Sequence, residues 1–412
     1  GVRVQTDIIG AIQTTNFPLN QIEKIEILRG NASALYGVGA IGGVINIITR
    51  EGKGAPKPYG SVTAGSYKTS GYFVGYGGET EDTNFNFNVG VDRSTGFSAM
   101  NTEQKKYANP DADGYKNEFA AFKFGKKITS DTKLGFSLNH SKQDAAYDSS
   151  YSWQDLPTDR HRLKKTNQSA SGFLRHAFHS DWVSNLSLTR SEYKYEDNQN
   201  DKPWPVNGYQ NSAVQGWQNN LSWGNNYQLN SYTKSAFGAD LTDDTFSGIG
   251  SLASYDLKRR GRGYFVGLVY QRERLTLEGA ARHDQFNVEK VNDIINSHYS
   301  ANTGMLGLGY QMTEKWKFTG TLSTGFSVPT ADAVGANPQI KPEHHHSSEY
   351  GAVYQTSSTL VRAVYFQTQA KDAIIYNNAY NYVNSDIKNQ GFELTTRAKV
   401  GLYSIKSSLT LQ

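Results

Sequence analysis

The chain contains no cysteine, and only 10 of its 412 residues are proline. A cysteine-free chain has no disulfide framework, although that lack is silent on redox compartment. Scarce proline beside 40 glycines, 26 tyrosines and 19 phenylalanines does not fit a disordered polymer. Also missing is any apolar run of about 18 residues or more, which excludes a membrane-spanning helix. No long block of one charge occurs: 42 Lys plus Arg face 38 Asp plus Glu, for a net charge of +4. A pI of 8.8 without such a block carries no nucleic-acid inference. No signal peptide opens the chain at Gly1, so it is expected to begin inside a domain. Nor is there a catalytic constellation. Ser, His and Asp are plentiful but stand in no nucleophile-elbow context, and nothing reads as a zinc-binding HExxH helix. No enzyme activity is expected, an outer-membrane phospholipase or protease being the remote exception.

A mean hydropathy of −0.61 with 37% hydrophobic residues looks soluble. It is equally what a membrane β-barrel shows, because only alternate residues face lipid while lumen and loops are polar. With helices excluded, a closed barrel is the remaining way to pair every backbone group within a bilayer.

From Tyr59 onward the main signal is alternation. Phe85, Phe87, Val89 and Val91 are interleaved with Asn84, Asn86, Asn88 and Gly90, giving one bulky apolar face and one small polar face. Similar rows run through Leu134, Phe136 and Leu138, through Leu186 and Leu188, and through Phe318, Leu322 and Phe326. Short turns at Thr129-Ser130-Asp131, Ser180-Asp181, Gln271-Arg272-Glu273, Met312-Thr313-Glu314 and Thr356-Ser357-Ser358 are interleaved with long polar stretches. The long stretches lie near residues 96–116, 144–166, 196–212, 242–261, 288–300, 327–344 and 370–386. Short periplasmic turns and long extracellular loops are the signature of an up-and-down outer-membrane barrel. A soluble sandwich has no reason to keep its long loops at one end. About 17 strands are expected, each on the order of 9 to 14 residues, with odd-numbered strands running outward. An odd count leaves both ends of the sheet unmatched. Trp182, Tyr193, Tyr195, Trp217 and Trp223 suit interfacial aromatic girdles, though aromatics are common in any sheet.

The opening residues read differently. Ile22, Ile25, Ile27 and Leu28 form a short apolar strand ending at Arg29-Gly30; Ala32 to Tyr36 make one helical turn closed by Gly37. Gly42 to Thr49 is a second strand, apolar on both faces and therefore expected to be buried. Gly39, Ala40, Gly42 and Gly43 allow tight backbone turns. A phosphate-cradling loop is the rival reading, but no Lys-Ser or Lys-Thr follows.

The run Ile22-Glu23-Lys24-Ile25-Glu26-Ile27-Leu28-Arg29-Gly30, then Ser33-Ala34-Leu35-Tyr36-Gly37 and Ala40 to Arg50, closely resembles the end of the plug domain of TonB-dependent outer-membrane receptors. Gly325-Phe326-Ser327-Val328-Pro329-Thr330, Asn337-Pro338-Gln339-Ile340-Lys341-Pro342-Glu343, Glu349-Tyr350-Gly351 and Gln390-Gly391-Phe392-Glu393-Leu394 resemble the same receptors' barrel strands and loops. Within the superfamily the chain looks closest to the cobalamin (vitamin B12) receptor group. The resemblance implies an all-β membrane protein, an antiparallel up-and-down transmembrane β-barrel with part of an α/β plug domain inside. Residues 1–54 would be plug and 55–412 barrel, a fragment with about five strands of about 22 missing. It implies a monomer in the bacterial outer membrane, among lipid and lipopolysaccharide. TonB would energise import of a scarce large ligand, corrinoid-like; a siderophore, haem or metal-chelate receptor is the alternative, and a passive porin a further one.

The same resemblance assigns residues. Arg29 is the plug partner of barrel glutamates, with Glu349 and Glu393 as candidates, because a charge enclosed by protein needs a partner; a solvated Arg29 is the plain alternative. Cobalamin receptors bind calcium through loop aspartates, which points to Asp148 and Asp159 and to the acidic pair Glu196 and Asp197. Ordinary loop solvation is the competing reading, and no cofactor is required. Tyr147, Tyr151, Trp153, Trp204 and Tyr209 are ligand-contact candidates, since large flat ligands favour rigid aromatic surface. His344 and His346 share a strand face at a spacing that suits zinc or copper, against the plainer reading of a wet strand start.

Overall fold

A computed structural model of the chain describes residues 18–98, 100, 101, 103, 109–148, 160–199, 212–250, 255–290, 295–379 and 381–412. Two bodies result, one inside the other. The inner one is a hairpin of β1 (Ile22–Arg29) and β2 (Gly43–Thr49), with the one-turn helix α1 (Ser33–Tyr36) in the connection.

Seventeen strands form the outer ring. They are β3 (Lys57–Gly65), β4 (Thr69–Glu79), β5 (Thr83–Ser94), β6 (Tyr115–Lys127), β7 (Thr132–Tyr147) and β8 (His161–His179). Next come β9 (Trp182–Gln199), β10 (Ser212–Asn230), β11 (Thr233–Gly250), β12 (Tyr255–Arg272), β13 (Leu275–Lys290) and β14 (Ile295–Gln311). The ring ends with β15 (Trp316–Ser327), β16 (Glu343–Gln355), β17 (Thr359–Tyr376), β18 (Tyr382–Val400) and β19 (Tyr403–Leu411). A second short helix, α2 (Ala331–Ala336), sits between β15 and β16. Consecutive strands pair antiparallel, and β19 stands next to β3. The expected unmatched sheet ends are thus brought side by side, in the same direction because the number is odd. Bare edges in lipid are costly, which favours closing the ring. β19 is exposed along its whole length, and β3 at all but one residue.

Alternation sets the two faces of the wall. Phe87 and Val89 are exposed on the outside, while the alternating Asn86 and Asn88 are 4% and 3% exposed, turned into the lumen. Leu138, Leu188, Leu306, Leu322 and Tyr350 continue the exposed apolar band. At the short turns one device recurs: a threonine hydroxyl accepts from the next backbone amides and stands in for a turn bond. Thr129 Oγ1 accepts from Thr132 N at 3.0 Å, Thr313 Oγ1 from Trp316 N at 3.1 Å, and Thr356 Oγ1 from Thr359 N at 3.0 Å.

Two expectations are corrected. The described residues of 242–261, 288–300 and 370–386 are mostly strand: β11 runs to Gly250 and β12 starts at Tyr255, β13 runs to Lys290 and β14 starts at Ile295, β17 runs to Tyr376 and β18 starts at Tyr382. Strands β7 to β14 have 16 to 19 residues, beyond the expected 9 to 14. At their outer ends the lumenal face stays dry, with Phe246, Leu257 and Val288 packed under α2, but buried charges such as Asp244 share that face, so no clean apolar alternation marks the pairing. The second correction concerns β2. Ile45 is 58% exposed, because β1 and β2 pair only with each other and, among the described residues, nothing covers both faces.

Candidate functional site

Residues 30–40 of the inner body rest on the inside of β12 to β16. Gly30, Gly37 and Gly39 have φ of +87°, +82° and +84°, a left-handed region that glycine enters without strain. Small size matters equally at the first two. A Cβ on Gly30 would lie 2.3 Å from Glu349 Oε1, and one on Gly37 2.9 Å from Arg282 Nη2. Gly39 N donates to the Phe326 carbonyl at 3.1 Å, joining plug backbone to barrel backbone. Ser33 and Ala34 of α1 are each 1% exposed. On the other side, Gln21 Nε2 donates to Asn88 Oδ1 of β5 at 2.9 Å.

Behind Gly37 lies a charged network built into the wall. Arg282 Nε donates to Asp284 Oδ2 at 2.9 Å and Arg282 Nη1 to Asp240 Oδ2 at 3.0 Å, while Ser222 Oγ donates to Asp240 Oδ1 at 2.6 Å. Nearby, Asp244 accepts from Arg259 Nη2 at 2.7 Å and from Gln218 Nε2 at 2.9 Å. The side chains of Arg282, Asp284 and Asp244 are 5%, 2% and 3% exposed, so each charge depends on its partner. Sequence reasoning passed over these residues. Their signal was present: Asp240 and Asp244, like Arg282 and Asp284, recur at even spacing, on one strand face.

The loop above the plug dips into the barrel mouth. Val38 of the plug packs with Phe286, Ala301, Phe326 and Val328, Phe326 being fully buried. Above them Ala333 and Val334 of α2 pack with Phe246, Leu257, Val288 and Ile340. Thr330 caps α2, its hydroxyl accepting from Ala333 N at 3.2 Å. Tyr382 donates to Asp332 Oδ2 at 2.6 Å and Asn337 Nδ2 to the Tyr382 carbonyl at 3.0 Å, which ties the loop to β18. Burial and the Asp332 carboxylate both push the Tyr382 phenol up.

The residues singled out from sequence fall as follows. Arg29 Nη1 lies 3.4 Å from Glu393 Oε2, with the Arg29 side chain 63% exposed in the lumen. Glu349 is half-buried beneath Gly30. Asp148 converges with Asp111 and Asp113, their carboxylate oxygens within 4.8 Å of one another, and Ser98 Oγ donates to Asp148 at 2.7 Å. Glu196 and Asp197 do not converge, because consecutive strand residues face opposite sides. Glu196 pairs with Lys194, while Asp197 accepts from the Tyr147 hydroxyl at 2.7 Å and from Tyr195 at 3.4 Å. β9 has 18 residues where about 9 to 11 cross a membrane, so Asp197 stands in its projecting end. Burial there raises its pKa, the tyrosine hydrogen bonds opposing. Among the described residues, His344 and His346 do not meet a third ligand. The His344 ring lies 5.4 Å from Phe326, and His346 is exposed on the outer wall. Tyr151, Trp153, Asp159, Trp204 and Tyr209 lie outside the described residues.

Residues 56–411 match the family described as TonB dependent receptor-like, beta-barrel, and residues 1–44 match the TonB-dependent Receptor Plug Domain. The vitamin B12 transporter BtuB of Photobacterium profundum is 28% identical over 85% of this chain and 54% of that protein. That of Vibrio cholerae is 24% identical over 100% of this chain and 65% of that protein. The chain thus spans between about half and two thirds of these relatives' length. The copper transporter OprC superposes with a TM-score of 0.80 at 14% identity, covering 98% of this chain and 68% of that one. The siderophore receptor PiuA from Acinetobacter baumannii gives 0.77 at 15% identity, covering 97% and 69%. At such identities these structures bear on the fold alone. A β-barrel with a plug hairpin in its lumen and a match along nearly the whole wall places this chain in the outer membrane, as a member of the TonB-dependent receptor family.

Proposed function

We propose that this receptor imports a scarce, large ligand of the cobalamin or corrinoid class, with TonB pulling on the plug to open a route. The observation that carries the proposal is the seat of residues 30–40. The plug touches the wall backbone to backbone at Gly39 and Phe326, directly beneath the loop that fills the mouth. A stopper so placed serves an energised importer and obstructs a passive pore. The two sequence relatives named above are vitamin B12 transporters, which favours the corrinoid class. No covalent change to the ligand is part of the proposal.

In this reading the Arg29–Glu393 contact is a plug latch with Glu349 beside it, exposed enough to yield to a modest pull. Tyr147, with Tyr151, Trp153, Trp204 and Tyr209, supplies aromatic surface for a flat ligand. Calcium in the outer loops belongs to the same proposal. Asp111, Asp113 and Asp148 form an all-oxygen donor set suited to a hard cation, which would order the loops carrying them. The receptor acts as a monomer.

The test is uptake of labelled cyanocobalamin by receptor-deleted cells carrying this receptor, with and without TonB. Ferric siderophore and haem are run in parallel. Accumulation of cobalamin that needs TonB supports the reading; uptake of ferric chelate or haem alone moves the ligand class. TonB-independent diffusion of small solutes would overturn it in favour of a porin.

A further inference from the structure

The ladder between β14 and β15 runs only from Met305–Ser323 to Gln311–Lys317, although both strands continue beyond it. Past that fork β15 leans inward, taking Phe326 into the cluster above the plug. Thr324 Oγ1 fills the first missing rung, accepting from Gly304 N at 2.8 Å. On the reverse side the lean leaves a groove of about 660 Å³ spanning β12 to β17.

This groove faces lipid. Gly267 and Arg282 meet the plug residues Leu35 and Gly37 on the inside, so their neighbours Val266, Leu268 and Ala281 point out. Leu306 and Leu322 are 67% and 54% exposed on the same outer surface. The floor is made of small residues, Gly279 opposite Leu306 and Ala281 opposite Gly304. Along β16 and β17 the wall turns polar. His346 stands opposite Gln369, and Ser348 opposite Gln367, on the face that carries Tyr350. Lys388 lies across from Gln369, and Lys371 across from His344, both exposed toward the outer end.

We infer that the groove holds an acyl chain of lipid A, the outer-leaflet glycolipid whose chains hang by amide and ester links from a phosphorylated sugar. The apolar slot takes the chain. Gln367, Gln369, His346 and Ser348 offer donors and acceptors at the level of the amide and ester links, and Lys371 and Lys388 sit where the sugar phosphates come. Backbone polar groups left without a ladder above the fork are costly against plain hydrocarbon. A headgroup with hydrogen-bonding links relieves that cost better than a bare chain. The occupant therefore belongs to the outer leaflet.

The test is native mass spectrometry of the full receptor from mild detergent, with added hexa-acyl lipid A or phosphatidylethanolamine. Gly279→Leu with Gly304→Leu fills the slot without a Cβ clash: the nearest atoms to a Cβ are 3.7 Å and 3.5 Å away, ordinary van der Waals contact. The lipid A-bound fraction is expected to fall about tenfold. Leu138→Phe, on the lipid face of β7, leaves it unchanged. Should the filled variant fail to insert, Gln367→Leu with Gln369→Leu gives a comparable loss while leaving the slot open. Undiminished lipid A in the variant that inserts, or equal retention of phosphatidylethanolamine by the unaltered receptor, overturns the inference.

Discussion

The plug segment rests on the barrel in two places of opposite character. At residues 30–40 the seat is dry: Ser33 and Ala34 are 1% exposed, and the wall behind carries the buried pair of Arg282 and Asp284, 5% and 2% exposed at their side chains. At the β1–β2 hairpin the seat is wet. Ile25, Ile27 and Ile45 are 49%, 64% and 58% exposed, and charged contacts such as Arg29–Glu393 and Glu23–Lys53 reach through solvent. One molecule therefore holds its stopper by shape and desolvated charge at one end and by screened ion pairs at the other. A pull transmitted through the hairpin meets the weak contacts first.

The largest effect that sharpens this contrast is expected at Arg282. Arg282→Ala leaves Asp284, 2% exposed at its side chain, without its cation, and breaking a buried pair costs about 3–5 kcal/mol. Hydrogen exchange at residues 33–40 should accelerate strongly, and the denaturant midpoint of the barrel should drop. A double variant, Arg282→Met with Asp284→Leu, should regain much of the loss, because the penalty lies in the orphaned charge. Unchanged exchange at the apex would show that the network does not support the seat.

Second in size is Gly37→Ala. Its φ of +82° and a Cβ 2.9 Å from Arg282 Nη2 combine backbone strain with crowding, together worth about 1–3 kcal/mol. The guanidinium end can shift, which keeps the cost below that of removing it. Differential exchange should again be confined to the apex, leaving β1 and β2 as in the parent protein.

These two positions also mark how far the sequence could be read. Alternation through Asn84 to Val91 marks the wall strand and its two faces, because lipid on one side and water on the other imprint a period of two, and the long-and-short loop pattern argues against a soluble sandwich. The outer halves of the long hairpins carry a blurred imprint; the dry lumenal face of 242–248 and 256–261 mixes Phe246 and Leu257 with the paired charges of Asp244 and Arg259, so the stretches look like loop. β2 erred the other way. An apolar run reports what a strand tolerates, and whether Ile45 is buried depends on what lies against it. The Arg282 network was visible as even spacing of charge, yet nothing local distinguishes a lumenal Arg-x-Asp from a solvated one. Pairing across β11, β12 and β13 decides it, and sequence does not state pairing.

At the wet seat the expected effects are small. Arg29→Gln or Glu393→Gln should loosen the hairpin by less than about 1 kcal/mol, as exposed pairs do. The coupling between them in a double-variant cycle, read from β1 exchange protection, should vanish near 1 M salt, where the Debye length is about 3 Å. Coupling that survives such salt would mean the pair is desolvated and the contrast with the apex false.

The smallest effect is a pH dependence at Glu23. Its hydrogen bond from Lys53 holds the carboxyl below the usual 4.5, with burial opposing. A depressed acid contributes stability that is fully present above its unfolded pKa and is lost as pH falls through the folded value. The contact ties β1 to the linker before β3, so its loss should free the hairpin and leave the apex in place. A spin label at position 45, on the exposed face of β2, should gain mobility as pH drops from about 4.5 downward. Glu23→Gln should already show the higher mobility at neutral pH and lack that acid step, while a label at Val38 should not respond to either change.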